Sequence, residues 1–215
     1  MFKKYITMKK NSYIGISFII LLFGIWTVKE LTERFKENSL EKLSKVPNFE
    51  LTDHHGKKIS NKSFEGKVYV VEFFFASCPT ICPKMNQNML QLQETFYGDL
   101  NFGIASITID PENDTVASLN EHAKKLGAKH SNWHFLTGDY DYIMNLANKG
   151  FNIFAGKNDK VQGGFEHSGL FALIDKEGNI RCRKDKFGNP ILYYDGLEQT
   201  GIDAIKEDIK LLLEE

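Results

Sequence analysis

The stretch VYVVEFFFASCPTICPKM, residues 68–85, joins a run of β-branched and aromatic residues to two cysteines that are each followed by a proline. A near-continuous apolar run of this kind is typical of a central strand covered on both faces. Pro83 suits the first position of a helix and biases the preceding residue away from the helical region. We therefore predict a strand, a compact turn from Cys78 to Cys82, and a helix that begins at Pro83 with Cys82 at its cap.

Strand and helix patterns alternate on both sides of this stretch. A short hairpin with a turn at His55 and Gly56 is predicted before it, and later helices end at Gly98 and Gly127. The predicted order is a β-hairpin, then β-α-β-α-β-α, a second hairpin, and an amphipathic helix over residues 201–215. This is the α/β layout of a thioredoxin-like domain, with parallel neighbours and a late antiparallel pair. The thiol pair would lie at the carboxyl end of a central strand, where open α/β sheets place their sites.

Composition limits the function classes. The chain has 215 residues and 42% apolar content, which suits one membrane-tethered domain with a real core. A net charge of −1 argues against a nucleic-acid-binding protein. Three cysteines are too few for a disulfide scaffold, so the two closely spaced cysteines call for another explanation.

An uncharged apolar segment near the start of the chain predicts membrane attachment. It covers residues 11–28 and follows a cationic stretch that contains Lys3, Lys4, Lys9 and Lys10. The segment is slightly short for a bilayer core of about 30 Å, but flanking lysines can snorkel and the bilayer can thin. The alternative is a cleaved signal peptide, which needs small residues of the A-x-A kind, and the first alanine is Ala76. We favour an uncleaved transmembrane anchor helix over residues 11–28.

The anchor determines the predicted domain organisation and location. Cationic residues before the span predict a cytoplasmic N-terminus over residues 1–10 and an exported remainder. The charged segment 29–45 is predicted to be a stalk, and residues 46–215 the folded domain. We expect a single-pass protein of a bacterial inner membrane, with its C-terminal domain in the periplasm or another extracytoplasmic space.

Three kinds of site fit the thiol pair. Both sulfurs would lie near a helix N-terminus, where the helix dipole lowers the thiol pKa and favours the thiolate. A structural disulfide would close only a short loop and gain little stability. A redox pair usually has the spacing C-x-x-C, whereas three residues separate Cys78 from Cys82. A metal site would select Cu(I), because soft thiolate ligands prefer it over harder ions.

His167 is the predicted third ligand. It stands in GGFEHSGLFALID, directly before a predicted strand. In thioredoxin-like folds the loop before this strand faces the cysteine turn and usually carries a proline. None of the five prolines is available there; they are Pro47, Pro79, Pro83, Pro111 and Pro190. A histidine at this place favours a metal site over a redox site.

Four other residues are predicted to lie outside the site. Asp114 is expected to cap the helix that follows it, and Asp110 to end a strand before Pro111. Glu166 is expected to be a solvated loop carboxylate, although it could orient His167. Cys182, in the late hairpin, is expected to be a lone strand thiol.

With these residues assembled, the chain resembles the Sco (SenC) family of membrane-anchored, copper-binding proteins with a thioredoxin-like fold. The resemblance covers roughly residues 46–213 and rests on PNFELTDHHGK, FFFASCPTICPKM, ITIDPENDT and FEHSGLFALIDKEG. The family's metal ligands are two cysteines and a histidine, which correspond here to Cys78, Cys82 and His167. The segment DPENDT departs from the family's usual DPERDT, with Asn113 in place of arginine, and that position is not a ligand.

The resemblance implies a copper metallochaperone that delivers Cu(I), with Cu(II) as the other oxidation state, to the CuA site of cytochrome c oxidase. The alternative is a thiol-disulfide oxidoreductase that acts on cysteines of the oxidase subunit or of another exported partner. In that case Cys78 and Cys82 are the redox-active pair, and in either case they are expected to form a reversible disulfide. The implied partners are the subunit that carries CuA and an upstream copper donor or thiol reductant.

Overall fold

The computed structural model describes residues 12–37, 40–158 and 160–215. These fall into two compact units, of which the first contains residues 12–37 and the second the described residues from Leu40 onward. Helix α1 (Ser12–Glu37) belongs to the first unit. Among the described residues, no helix combines the length and the apolar character that a membrane crossing needs. The anchor predicted for residues 11–28 is therefore not confirmed. The predicted cytoplasmic segment 1–10 and Asn11 lie outside the described residues.

The second unit is a mixed α/β domain. Its strands are β1 (Glu41–Lys45), β2 (Glu50–Asp53), β3 (Lys58–Ser60), β4 (Val68–Phe74), β5 (Phe102–Thr108), β6 (Trp133–Thr137), β7 (Ala155–Lys157), β8 (Phe165–His167), β9 (Leu170–Ile174), β10 (Asn179–Lys184), β11 (Pro190–Ile191) and β12 (Tyr194–Asp195). Its helices are α2 (Cys82–Thr95), α3 (Val116–Leu126), α4 (Tyr140–Asn145) and α5 (Gln199–Glu214). A 3-10 turn covers Asn61–Phe64, and a π-helical segment, Leu146–Phe151, extends α4.

The main sheet runs in the order β1-β10-β9-β4-β5-β6-β2-β3, with β11 paired to β10 and β12 to β9. Strand β4 is parallel to β5 and antiparallel to β9. Every residue of β4 and of β5 is buried, as expected for strands covered on both faces. The predicted central strand is therefore confirmed, with the bounds Val68–Phe74, and it carries the cysteine turn at its carboxyl end.

Helix α2 buries one apolar stripe in the hydrophobic core of the domain. Met85, Met89 and Leu92 have no exposed surface, and their spacing of three or four residues places them on one helix face. The helix begins at Cys82 with Ile81 at the N-cap position, one residue earlier than predicted. Pro83 is then the second residue of the helix. A proline fits there because the first backbone amides of a helix have no intrahelical acceptor.

Two segments differ from the sequence prediction. Residues 41–45, placed in the stalk, form strand β1, which pairs with β10 at one edge of the sheet. Residues 151–166, where the predicted order of elements has no strand, contain strand β7 and most of β8, which pair as a separate two-stranded sheet. Strands β1, β7 and β8 are short, and local sequence patterns do not reveal the strands with which they pair.

Candidate metal centre

The two cysteines lie in the turn that connects β4 to α2. Cys78 donates its backbone N–H to the Phe75 carbonyl over 3.2 Å, which closes the first part of the turn. Cys82 is the first residue of α2, and the Ile81 carbonyl accepts the amides of the following turn. Both thiols are buried, with 7% exposure for Cys78 and 2% for Cys82. The turn therefore presents two enclosed sulfurs from one short segment.

His167 reaches the cysteines from a second segment, the β7–β8 hairpin. It pairs with Ala155 in the hairpin register. Asn148, in the π-helical segment, holds Ala155 from the other side: its Nδ2 donates to the Ala155 carbonyl over 2.7 Å, and its Oδ1 accepts the Ala155 amide over 3.2 Å. These contacts give the histidine a defined backbone position, although its strand is only three residues long.

The three side chains converge. Ligand atoms of Cys78, Cys82 and His167 all lie within 4.8 Å of one another, and His167 is buried like the thiols. Its Nε2 lies 3.1 Å from the Sγ of Cys82, and its Nδ1 lies 3.2 Å from the Ser168 carbonyl oxygen. A carbonyl can only accept, so Nδ1 carries a proton and Nε2 is the ring nitrogen that faces the thiols. In the imidazolium form Nε2 can donate to a thiolate, and in the neutral form it presents its lone pair to a metal ion.

This donor set matches a soft metal ion. Two sulfurs and one imidazole nitrogen are ligands that Cu(I) prefers. The hydrogen bond from Nδ1 of His167 to the Ser168 carbonyl orients the ring so that Nε2 can bind a metal ion. Among the described residues, no other group of three or more histidine, cysteine or carboxylate side chains is close enough to hold a metal ion. The structure brings together all three residues that the sequence analysis proposed as ligands.

The thiols differ in their tendency to ionise. Burial raises the pKa of Cys78, but hydrogen bonds from His167, Thr80 and the neighbouring backbone outweigh it and lower that pKa to about 5. Burial raises the pKa of Cys82, and the adjacent Cys78 raises it further. The Cys78–Cys82 dyad therefore loses its first proton readily and its second with difficulty. At neutral pH the dyad holds one thiolate and one thiol.

The carboxyl group of Glu72 is buried and interacts electrostatically with His167. It has no exposed surface, and burial raises its pKa to about 7, although the Ser106 hydroxyl and the charge of His167 oppose the rise. The Ser106 hydroxyl donates to Oε1 over 2.6 Å, and Oε2 has no partner among the described residues. The sequence analysis missed this residue; the signal was one acidic residue inside the apolar run VYVVEFFFA.

The residues predicted to lie outside the site have different environments. Glu166 is exposed and accepts a hydrogen bond from Asn158, and Cys182 is a buried free thiol in β10. Asp114 is not the cap of α3, because Thr115 takes that position and accepts the Ser118 amide. Its carboxylate is buried and accepts the backbone N–H of Ala76, two residues before Cys78.

Comparisons with known proteins agree with this geometry. A family model described as SCO1/SenC matches residues 37–200. The chain is 32% identical to the SCO1 protein homolog of Bacillus subtilis over 167 residues, which is 77% of this chain and 81% of that relative. The residues that the family model matches include the cysteine turn and the histidine.

Solved structures show the same fold. BsSco, described as a member of the Sco family of cytochrome c oxidase assembly proteins, matches with a TM-score of 0.68 and 30% identity, covering 82% of this chain and 98% of that chain. Yeast Sco1 with copper bound matches with a TM-score of 0.57 and 27% identity, covering 78% and 90% of the two chains. The second of these relatives holds the metal that the donor set here would select.

Proposed function

Because this chain belongs to the SCO1/SenC family, we propose that it is a copper metallochaperone that carries Cu(I) on Cys78, Cys82 and His167 and delivers it to the CuA site of cytochrome c oxidase. The observation that carries the proposal is the approach of these three side chains to within 4.8 Å of one another. The copper-bound structure of yeast Sco1 and the description of BsSco as an oxidase assembly protein support the choice of cargo and target.

The arrangement suits both capture and release of the ion. Two thiolates bind Cu(I) tightly, and the imidazole completes a three-coordinate site. The ligands come from two separate segments, the cysteine turn and the β7–β8 hairpin. An acceptor that offers its own thiolates can displace His167 first, because a neutral imidazole is a weaker ligand for Cu(I) than a thiolate. The ion can then move to the acceptor without leaving the protein surface as a free ion.

We extend the proposal to attachment of the domain to a bacterial inner membrane by residues 11–28, with the domain on the extracytoplasmic side. Two observations support it. Large apolar side chains between Ile16 and Val28 are exposed along helix α1, and exposed apolar surfaces of this extent mark contact with lipid or protein. The four lysines before Asn11 supply the cytoplasmic charge that orients a single span.

A second candidate function is supported by the ionisation of the dyad. Cys78 has a pKa lowered to about 5, so it is a thiolate at neutral pH and can attack a disulfide of a partner protein. The relative BsSco is described with a disulfide switch. In this alternative the chain is a thiol-disulfide oxidoreductase, and Cys82 resolves the mixed disulfide that Cys78 forms.

Replacement of His167 separates the two functions. A chaperone needs the imidazole as a ligand, whereas a reductase needs only the thiols. We expect His167→Ala to abolish assembly of the CuA centre in cells at ordinary copper supply, while the purified protein still reduces a disulfide substrate at pH 8. At that pH the thiolate of Cys78 keeps its hydrogen bonds to Thr80 and the backbone.

The matched control is His54→Ala. His54 is as buried as His167, with 8% against 7% exposure, but its Nδ1 accepts the Phe135 amide and it is not part of the metal group. A general loss of stability would affect both variants alike. Normal oxidase activity in a strain that carries only the His167→Ala chain would contradict the chaperone function and favour the reductase.

A further inference from the structure

The buried carboxylate of Asp114 connects two strand ends beside the metal centre. Its Oδ2 accepts the Ala76 amide over 3.0 Å and the Thr108 hydroxyl over 2.5 Å. Thr108 is the last residue of β5, and Ala76 follows the end of β4 by two residues. Asp114 itself is only 3% exposed. One oxygen atom therefore joins the end of β5 to the first part of the cysteine turn.

The hydrogen bond from the Ala76 amide to Asp114 lies where strand β4 leaves the sheet. The last ladder bond between β4 and β5 runs from the Ile109 amide to the Phe74 carbonyl over 2.8 Å. Beyond this bond the backbone of β4 leaves the sheet, and the amide of Ala76 finds its acceptor in a side chain 38 residues away. The turn is then closed by the bond from the Cys78 amide to the Phe75 carbonyl. Asp114 therefore contacts the backbone at the point where the cysteine turn departs from the sheet.

We propose that Asp114 is a positioning residue for the metal centre: by holding Ala76 against Thr108, it places the cysteine turn in register with His167. This inference rests on the proposed copper-binding function. Asp114 does not act as a ligand, because it is not among the side chains that converge on the site. Its carboxylate is already engaged by two donors, so it acts through the backbone of the turn.

A positioning role makes a prediction that a merely structural role does not. If Asp114 aligns the thiols with the histidine, its contribution to Cu(I) affinity depends on the histidine being present. Without His167, two thiolates from one short turn can bind Cu(I) in a linear arrangement, and the alignment of the turn with the histidine no longer matters. The effects of the two substitutions should therefore be strongly non-additive in a double-mutant cycle.

The test measures Cu(I) affinity of the full chain by competition with a chromophoric Cu(I) chelator. We expect Asp114→Ala to weaken binding about tenfold, the order of effect of one hydrogen bond to a charged group. Asp114→Asn should restore most of the affinity, because its amide oxygen can accept both donors. In the His167→Ala background, Asp114→Ala should change the affinity by less than about twofold.

The control for lost stability is Asp208→Ala. Asp208 is a comparably buried carboxylate, 5% exposed, that accepts hydrogen bonds from Arg183 and Tyr194 on β10 and β12. Its removal should lower the free energy of unfolding without changing Cu(I) affinity. An equal loss of affinity in the Asp208 variant, or an additive cycle with His167, would overturn the positioning role.

Two further outcomes keep the test decisive. If Asp114→Ala does not fold, Thr108→Val removes one of the two donors at nearly constant shape, and we expect an affinity loss of about threefold. Unchanged affinity in a folded Thr108→Val protein would then overturn the inference. If the unsubstituted chain binds no Cu(I), the proposed function itself fails. If the unsubstituted chain binds Cu(I) and a folded Asp114→Ala protein binds it with unchanged affinity, only the positioning role is contradicted.

Discussion

The Nε2 atom of His167 lies 3.1 Å from the Sγ atom of Cys82, although 85 residues separate them in the chain. Strand order explains the approach. Strands β4 and β9 are antiparallel neighbours, with Val71 opposite Ala172. The carboxyl end of β4, which leads to the cysteines, therefore lies beside the amino end of β9, which follows the histidine. The central sheet thus brings a turn and a hairpin to the same edge.

The dyad predicts the number of protons released when copper binds. Two thiolates are needed as ligands, and the pKa of Cys78 is already lowered to about 5 whereas that of Cys82 is raised. At pH 8 we expect about one proton per Cu(I), and an affinity that falls about tenfold for each pH unit between 8 and 7. Calorimetry in two buffers of different ionisation enthalpy gives the count. Release of two protons would mean that Cys78 is an ordinary thiol.

Glu72 predicts a pH dependence of stability. Burial raises its pKa from 4.5 to about 7 in the folded protein. Below pH 4.5 the carboxyl is protonated in both states and its full contribution is present; as pH rises towards 7, only the unfolded state ionises, so stability falls. The total loss should be on the order of 3 kcal/mol.

Glu72→Gln should remove this dependence, because an amide does not ionise. The measurement is the free energy of unfolding by urea at several pH values between 4.5 and 8. Glu166→Gln, at an exposed carboxylate, is the control and should leave the pH profile unchanged. If the Glu72→Gln protein kept the slope of the unsubstituted protein, the buried carboxyl would not be its source.

Oxidation should link Cys78 to Cys82 and leave Cys182 free. The first two sulfurs are within 4.8 Å of each other, and a turn with three intervening residues can close to a disulfide without moving β4 or α2 far. Cys182 is buried in β10 as a free thiol. Peptide mapping after mild oxidation should find one reversible intrachain disulfide. A linkage that involves Cys182 would refute the assignment.

Attachment to the membrane is testable by reporter fusion. The lysines before Asn11 predict that residues from about 29 onward are exported. A reporter that is active only in the cytoplasm, fused after Glu215, should be silent, and an extracytoplasmic reporter at the same position should be active. The opposite pattern would place the domain in the cytoplasm and contradict delivery of copper to an exported CuA site.

Local sequence patterns were sufficient to predict those elements whose structure is determined by neighbouring residues. The apolar run predicted β4, and the pattern CPTIC followed by Pro83 predicted a turn at a helix start. His167 was identified because a histidine precedes a strand at a place where the fold usually carries a proline. For the strand and the turn, the chemistry of a few adjacent residues determines the local structure. His167 was proposed as a ligand from its place in the expected fold, and the topology brings these side chains together.

Long-range contacts account for what the sequence analysis missed. Asp114 and Thr115 are both good helix caps, and the choice between them depends on the Ala76 amide, which lies 38 residues from Asp114. Strand β7 forms because Asn148 and the β8 backbone hold Ala155. The carboxyl of Glu72 is buried because β4 is covered on both faces. None of these partners is adjacent in sequence, so no local pattern reveals them.

Copper titration of the reduced protein tests the metal centre most directly. We expect the unsubstituted chain to bind one equivalent of Cu(I) in competition with a chromophoric chelator, Cys78→Ser and Cys82→Ser to lose tight binding, and His167→Ala to bind at least tenfold more weakly. The His54→Ala control should match the unsubstituted chain. Full occupancy at unchanged affinity in the Cys78→Ser protein, or in the His167→Ala protein, would contradict a copper site formed by these three residues.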